Sequence, residues 1–518
     1  QIQHLERLRD WSGLTLWPVL FVGFSLLVYY IRCRNLKHRL SPRLPPGPRG
    51  LPLLKNIFDL PREQHWLRFA ELGEVWGDIC SLTAFGQTMI IVNSVKIAED
   101  LLDVRGANFS DRPFIPVGGE KTGFVNSVAL AQYGIRVRAE RKLFHQLFGT
   151  EAAIRRMTPL ISAEVQKFLK GIAANPEGLV EEIRRLTAAV SLRIAYGYQL
   201  QEGFDPFLEM FDTSGQNFFV ATVPGAFLAD TIPILRYWPR WLPGGGFHYR
   251  AERMSQQVHG SVNTAFEYVK REMASGTAET SFVSTLLEEG KDDEYLIKWA
   301  AASIEIGGSD TTAAQLEAFF LAMTLYPEVQ VAAQEEIDRV VGNSRIPDIS
   351  DRSKLPYVDA LCKEVVRWHV AAPLAVPHRT RQDYIYDRGD GKEPLLIPEH
   401  SLIIPNIWQM AHDPERYAEP MTFNPTRFLG VGGKEAEKDP AEICFGYGRR
   451  VCPGILLGQT AIFLECSAIL AVFNITAARN ATGKVMEARL GQTSTTVSRV
   501  FPFKCVIEPR SAQVLALI

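Results

Sequence analysis

The longest apolar stretch of the chain lies close to its N-terminus, where residues 11–31 carry no charged side chain. As an α-helix rising about 1.5 Å per residue, this stretch would span about 32 Å, close to the hydrocarbon thickness of a bilayer. The basic residues that follow it are Arg32, Arg34, Lys37, Arg39 and Arg43. Because positive charge stays on the cytoplasmic side, the pattern predicts one transmembrane helix with the rest of the chain in the cytoplasm.

Two alternatives explain this run less well. A cleaved signal peptide would place its basic residues before a shorter apolar core and end at a small-residue cleavage site, and neither feature is evident. A buried core helix of this length is unusual at a terminus. After the run, residues 32–53 are basic and proline-rich, which favours a stiff, extended tether. We therefore expect a lumenal segment (1–10), an anchor (11–31), a tether (32–53) and one catalytic domain (54–518).

The remaining pattern is mainly helical. Apolar positions recur at helical spacing over residues 131–147, 293–326 and 327–341, whereas residues 87–94 (QTMIIVNS) resemble a strand. No internal repeat and no second linker interrupts residues 54–518. The sequence therefore predicts a mainly α fold with small β-sheets, of the α+β class.

The composition argues against several classes of function and of structural site. The net charge of −2 argues against a nucleic-acid partner held by bulk positive charge. The seven cysteines are scattered and include no CxxC pair, which argues against a disulfide framework and a zinc cluster. A reducing compartment fits this cysteine usage.

One cysteine stands in a distinctive loop, residues 445–454 (FGYGRRVCPG). The glycines permit a tight turn, and Pro453 suits the first turn of a following helix. A thiolate at Cys452 would then lie near a helix N-terminus, where an anion is favoured. The loop resembles the haem-ligand signature F-x-x-G-x-R-x-C-x-G of cytochrome P450 enzymes. The matching positions are Phe445, Gly448, Arg450, Cys452 and Gly454.

This resemblance implies a cytochrome P450 fold that binds haem b, with Cys452 as the iron ligand and Phe445, Gly448 and Gly454 shaping the loop around the cofactor. It also implies that Arg141, His378 and Arg450 hold the haem propionates. A solvated helix charge is the alternative for Arg141, and a structural role is the alternative for the lone His378. Val137 stands where the family usually has an aromatic residue, so one propionate hydrogen bond should be missing.

The family also carries an E-x-x-R pair on a helix below the haem, matched here by Glu364 and Arg367. Residues three apart share a helix face and can pair. The same spacing recurs elsewhere in the chain, but only this pair is followed by PHRT and later by FNPTRF. The latter supplies Arg427 as the third member of a buried structural cluster.

The segment SIEIGGSDTTA resembles the family's oxygen-activation segment. Gly307 and Gly308 weaken the helix, and the Thr311 hydroxyl can bond to the carbonyl of Gly307, which predicts a local kink or widening. The resemblance implies that Asp310 and Thr311 relay protons. A flexible packing spot is the alternative. Glu305 is an unusual charge in this apolar helix, and we expect it to face a water channel rather than the substrate.

The same resemblance implies an apolar substrate pocket, with a hairpin near residues 493–497 at its edge. The expected lining residues are Phe114, Val125, Phe218, Ile306, Gly307, Val370 and Leu374. An apolar and aromatic lining suits a lipophilic substrate such as a terpenoid, a sterol or an aromatic compound. The segments PPGP, DPERY and FNPTRFL are similar to those of filamentous-fungal members, which suggests secondary metabolism.

The sequence is thus identified as a microsomal-type member that inserts one atom of O2 into its substrate. Electrons would come from NADPH through NADPH–cytochrome P450 reductase, with cytochrome b5 as an optional second donor. The resemblance implies residence in the endoplasmic reticulum membrane, with the catalytic domain facing the cytoplasm. Two alternatives stay open: a member that rearranges a peroxide without O2, and a haem-binding sensor or carrier without turnover.

Overall fold

The computed structural model describes residues 43–518, except residues 53, 224, 291–292, 390, 431–432, 434, 481, 487 and 489–490. The predicted lumenal segment, the predicted membrane helix and most of the predicted tether lie outside the described residues. Among the described residues, Ile455–Val472 is the helix long and apolar enough to cross a membrane, and 72% of it is buried inside the protein. A helix buried to this extent packs as part of the core.

Helices dominate the described part of the chain, as the apolar periodicity predicts. In chain order they are α1 (His65–Trp76), α2 (Val95–Ala98), α3 (Ile135–Phe148), α4 (Glu151–Ala174), α5 (Leu179–Tyr196), α6 (Pro206–Thr222), α7 (Leu228–Thr231), α8 (Phe247–Ser275), α9 (Phe282–Glu288), α10 (Glu294–Leu325), α11 (Pro327–Val340), α12 (Pro356–Trp368), α13 (Ile407–Ala411), α14 (Ala441–Cys444), α15 (Ile455–Val472) and α16 (Ala512–Leu515). Two π-helical turns, Glu99–Val104 and Pro116–Lys121, lie among the connections.

The strands form small sheets, which confirms the predicted α+β class. They are β1 (Ile79–Ala84), β2 (Gln87–Val92), β3 (His378–Arg379), β4 (Tyr384–Tyr386), β5 (Leu395–Ile397), β6 (Leu402–Pro405), β7 (Phe473–Ala477) and β8 (Cys505–Pro509). One four-stranded sheet has the order β1-β2-β6-β3, while β4 pairs with β5 and β7 with β8. Only the β2–β6 pairing is parallel among these described strands.

The predicted element boundaries differ slightly from the observed ones. Helix α3 begins at Ile135 and not at residue 131, because Gly134 takes an extended conformation that ends the preceding loop. Helix α10 begins one residue after Asp293, whose side chain accepts a hydrogen bond from the Leu296 amide at 2.9 Å. Residues 93 and 94 leave the strand, so β2 ends at Val92.

Helix α10 is the central element that positions the candidate site. It packs against helices α3, α5, α6, α12 and α15. Apolar residues of these helices form the largest core cluster, including Phe319, Phe320 and Phe463, which are fully buried. The core therefore holds the helix that carries Asp310 and the helix that follows Cys452 in one packed unit.

The described part of the proline-rich segment lies on the sheets and does not stand free. The amide of Ser81 donates a hydrogen bond to the carbonyl of Pro46 at 2.8 Å, and its hydroxyl donates to the carbonyl of Pro45 at 2.6 Å. The amide of Leu396 in β5 donates to the carbonyl of Arg43 at 2.8 Å. Residues 43–46 are thus bound to β1 and β5 by backbone contacts.

Candidate functional site

The segment 445–454, which we name the Cys452 loop, folds back on itself just before α15. The Cys452 amide donates a hydrogen bond to the carbonyl of Phe445 at 2.8 Å, which closes the loop. Gly446 and Gly448 have φ angles of 78° and 57°, in the left-handed region that favours glycine. Cys452 precedes the first residue of α15 by three positions, so the predicted location near a helix N-terminus is observed.

Position 448 requires glycine because of a close backbone contact as well as because of its φ angle. A Cβ atom added to it would lie 2.1 Å from the carbonyl oxygen of Leu102 in the π-helical turn Glu99–Val104. That distance is far below a van der Waals contact, so a larger residue would push the Cys452 loop away from this turn. The contact is a backbone requirement that the motif alone does not reveal.

The surroundings of the Cys452 sulfur act on its ionisation in opposite directions. Burial raises the pKa of the Cys452 thiol, while the Gly454 backbone N–H and the charge of Arg141 lower it. Coordination to a metal ion deprotonates such a thiol. By contrast, burial raises the pKa of Cys444 to about 12, and its sulfur faces the carbonyl of Val366 at 3.6 Å.

Three arginines at the Cys452 loop lie close enough to repel one another: Arg112, Arg141 and, within the loop, Arg450. Burial, together with the charges of Arg450 and Arg141, lowers the pKa of Arg112 well below its usual value. In the part of the chain that the structure describes, none of the three forms an ion pair with a carboxylate. The charges of Asp111 and Glu140 act on Arg450 only from a distance, so a cluster of cations that forms no direct ion pair favours a bound anion.

The haem of the resemblance fits this cation cluster, because its two propionates would supply the missing negative charge. Arg450 donates to the carbonyls of Ser110 and Val128 at 2.8 and 3.1 Å and to that of Ala131, so its guanidinium is already oriented by neutral acceptors. Arg112 likewise donates to the carbonyls of residues 129, 376 and 377.

His378 is buried at the start of β3, and its Nδ1–H donates to the carbonyl of Phe109 at 2.7 Å. Burial is the largest cause that lowers the pKa of His378 well below 6.5, followed by the charge of Arg112. The neutral imidazole has one N–H group, and that group donates to the carbonyl of Phe109. Donation from Nε2 to a propionate, as the resemblance implies, would therefore require a second proton.

The predicted cluster of Glu364, Arg367 and Arg427 is brought together and is buried. Arg367 binds Glu364 with two hydrogen bonds of 2.7 and 2.8 Å, and Arg427 donates to the same carboxylate at 3.1 Å. Neither the Glu364 nor the Arg367 side chain is exposed. A fourth member, Glu437, pairs with Arg427 at 2.8 Å and was not predicted from the sequence. This cluster ties α12 to the loop that precedes the Cys452 loop.

Gly307 and Thr311 lie on α10 as the sequence predicts. The Thr311 hydroxyl donates to the carbonyl of Gly307 at 2.7 Å, while α10 continues as an α-helix through both glycines. Gly307 is exposed, and Asp310 and Thr311 are partly exposed. Glu305 is instead buried, near Tyr196 of α5. Helix α10 thus exposes Gly307 and leaves Asp310 and Thr311 partly exposed, while Glu305 lies in the protein interior.

The predicted pocket residues fall into two groups. Val125, Ile306 and Leu374 are partly buried, and Phe114 is 41% exposed. Phe218 and Val370 are buried in two different core clusters, Phe218 on α6 and Val370 after α12. Phe218 also meets Phe124 edge to face at 5.2 Å between ring centroids.

Sequence reasoning missed Arg112 as a member of the site. Its signal is slight, since it is one arginine before a proline in an irregular loop. Only the fold shows that it lies beside Arg450, more than 300 positions later in the chain.

The comparisons with known proteins cover nearly the whole described chain. The family model for cytochrome P450 matches residues 45–497. Cytochrome P450 monooxygenase 208 of Postia placenta is 44% identical over 507 residues, covering 97% of this chain and 98% of its own length. Cytochrome P450 monooxygenase claR of Ampulloclitocybe clavipes is 42% identical over 500 residues, with 96% and 92% covered. Tryptamine 4-monooxygenase of Psilocybe cyanescens is 35% identical over 511 residues, with 96% and 99% covered.

Proposed function

This chain belongs to the cytochrome P450 family, and from that membership we propose that it is a haem-thiolate monooxygenase of a lipophilic substrate. The observation that carries the proposal is the joint presence of a partly buried thiol in a closed glycine loop and, beside it, three arginines that form no ion pair with a carboxylate among the described residues. A sulfur ligand and two negative propionates are what haem would bring to these two features. The family relatives named above are monooxygenases, which supports the same reaction class.

When bound, the haem would supply the iron chemistry that activates O2, with one oxygen atom going to the substrate and the other to water. The chain's own residues would hold the cofactor and manage protons. Cys452 would provide the thiolate, and Arg112, Arg141 and Arg450 would hold the propionates. His378 would support this set from its position beside Arg112.

Asp310 and Thr311 would hold and move protons at the partly exposed part of α10 that follows Gly307. The Thr311 hydroxyl uses its hydrogen on the Gly307 carbonyl, so its oxygen remains available to accept a proton or to orient a water molecule. Asp310 is the neighbouring acid that can lose and regain a proton. Burial raises the pKa of Asp310, which brings its titration closer to neutral pH.

Ile306, Val125 and Leu374 would exclude water around a lipophilic substrate. A terpenoid, a sterol or an aromatic compound fits an apolar lining, and the relative named for tryptamine supports the aromatic option. We further propose electron supply from NADPH through NADPH–cytochrome P450 reductase, optionally with cytochrome b5. An N-terminal anchor at residues 11–31 would place the enzyme on the cytoplasmic face of the endoplasmic reticulum.

The experiment that tests this function is an absorption spectrum of the reduced, CO-bound protein, followed by turnover with reductase. We expect the red-shifted Soret band of a thiolate ligand and oxidation of lipophilic compounds that requires both NADPH and O2. A wild-type protein without that band would overturn the proposal. Turnover of a peroxide without NADPH or O2 would favour the rearranging alternative, and a normal band with no turnover across the panel would favour a sensor or carrier.

A further inference from the structure

Asp310 is surrounded by charged groups from three other elements of the fold. The Nη1 atom of Arg499 lies 3.9 Å from its Oδ1 atom. A Cβ atom added to Gly215 of α6 would lie 3.0 Å from its Oδ2 atom, so the backbone of α6 packs directly against this carboxylate. Asp310 is therefore held between α6 and the segment that carries Arg499.

Arg499 is shared between two carboxylates of α10. Its Nε donates to Oε2 of Glu317 at 3.2 Å, and its Nη2 lies 2.9 Å from Oε1 of Glu317. The Nη2 group is buried and has no aligned hydrogen-bond acceptor among the described residues. Glu317 and Asp310 are seven residues apart, about two turns, and thus face the same side of the helix. Glu317 therefore does not use all the N–H groups of Arg499, and the remaining ones can donate to Asp310.

The carboxyl groups near Asp310 outnumber the cations. The acids are Glu305, Asp212, Asp310 and Glu317, and the cations that act on them are Arg184 of α5 and Arg499. Glu181 of α5 adds a further negative charge at Asp212. Like charges that lie close together disfavour one another's ionisation, and burial acts in the same direction, so the pKa of each of these four carboxyl groups is raised.

Burial and neighbouring charges raise the pKa values of these carboxyl groups to different extents. Burial, with the charges of Asp310 and Asp212, raises the pKa of Glu305 well above 4.5, and its Oε2 atom has no hydrogen-bond partner among the described residues. Burial is the main cause that raises the pKa of Asp212 to about 6, with Asp310 adding to the shift. The buried and unpartnered Glu305 thus favours its neutral form. Asp212 lies three residues before Gly215 and so shares the face of α6 that packs against Asp310, where the charge of Asp310 disfavours ionisation of Asp212.

We propose that Arg499 is a positioning residue for proton delivery, which divides its charge between Glu317 and Asp310, and that Asp212 shares a proton with Asp310. This inference rests on the proposed function, because it assigns a source to the proton that Asp310 and Thr311 transfer. Protons reach Asp310 from α6 and the α5 surface behind it, and Arg499 sets how readily Asp310 releases them.

The test is the pH profile of NADPH-dependent product formation by the holoenzyme. A step that needs a protonated Asp310 fails at high pH, so removing the positive charge in Arg499→Gln should move the alkaline limb up by about one pH unit. Removing a negative neighbour in Asp212→Asn should move the same limb down. Arg499→Lys keeps the charge and should stay within a few tenths of a unit of wild type.

Arg510→Gln is the matched control. Arg510 has the same exposed side-chain fraction as Arg499, 18%, and also pairs with a carboxylate, that of Asp338. We expect this variant to leave the alkaline limb where it is. A limb that moves in the same direction in Arg499→Gln and Asp212→Asn, or that moves equally in Arg510→Gln, would overturn the proposal.

A second readout does not depend on activity. Infrared spectra of the holoenzyme over a pH series should contain a protonated-carboxyl band that is absent in Asp310→Asn. The pH at which this band disappears should rise by about one unit in Arg499→Gln and fall in Asp212→Asn. If the thiolate-type CO spectrum were missing from wild type, the proposed function would fail, while the infrared titration would still decide this inference.

Discussion

The buried cluster of Glu364 and Arg367 offers the sharpest test of what holds the fold around the site. Removing the guanidinium in Arg367→Met deletes two hydrogen bonds to Glu364, of 2.7 and 2.8 Å, and one to the Ala411 carbonyl of 3.0 Å. Glu364 then keeps one contact with Arg427 at 3.1 Å and one with the Asn424 amide at 2.8 Å. Its charge stays fully buried and is only partly compensated.

Breaking a buried ion pair from one side typically costs about 3–5 kcal/mol, because the remaining charge is stranded. A whole domain is stable by only about 5–15 kcal/mol. We therefore expect Arg367→Met to lose a large part of the free energy of unfolding. Arg367→Lys keeps the charge but not the two-pronged geometry, and should fall between Arg367→Met and wild type.

The chain provides a matched control in Arg68→Met. Arg68 binds Glu71 at 2.8 Å with the same spacing of three residues, but the two side chains are 45% and 61% exposed. Exposed pairs contribute at most about 1 kcal/mol. The assay is denaturant unfolding of the holoenzyme followed by tryptophan fluorescence, with bound haem as a second signal. If Arg367→Met unfolded at the same denaturant concentration as Arg68→Met, the reasoning from burial would be wrong.

Three further predictions concern the thiolate, the glycine contact and pH. Cys452→Ser should abolish the thiolate-type CO band, whereas Cys444→Ser should retain it; loss of the band in both would contradict the assignment. Gly448→Ala should lower haem content and the unfolding midpoint because its Cβ would strike a backbone carbonyl, whereas Gly483→Ala, with a φ of 78° but open space, should cost only about 1 kcal/mol. Burial lowers the pKa of His369 from 6.5 to about 4, so the unfolded chain binds a proton that the folded protein does not. The unfolding midpoint should therefore fall as pH drops from about 6.5 to about 4, and less steeply in His369→Asn.

The parts of the site that sequence predicts best are those written in consecutive residues. The Cys452 loop is specified locally, since two glycines with positive φ, a cysteine and the start of α15 follow one another within ten positions. The pairing of Glu364 with Arg367 follows from helix periodicity. Arg427 could be assigned to the same cluster only from the family pattern, because 60 positions separate it from Arg367.

Other features depend on contacts between distant segments and leave little trace in the sequence. Gly448 is required by the carbonyl of Leu102, and Arg499 reaches Asp310 from the far end of the chain. Glu305 shows the limit most clearly. The sequence marks it as an odd charge, but whether it faces a water channel or the substrate depends on the rotation of α10. The structure directs it toward the buried side, near Tyr196.

The docking of residues 43–46 on β1 and β5 also determines how the protein would carry a mechanical load. A pull applied through an anchored N-terminus would reach the body at the hydrogen bonds of Ser81 and Leu396. Neither β1 nor β5 contains a residue of the candidate site. If residues 11–31 anchor the chain as we propose, tension would act first on the hydrogen bonds at these small sheets, away from the Cys452 loop and α10 in the helical core.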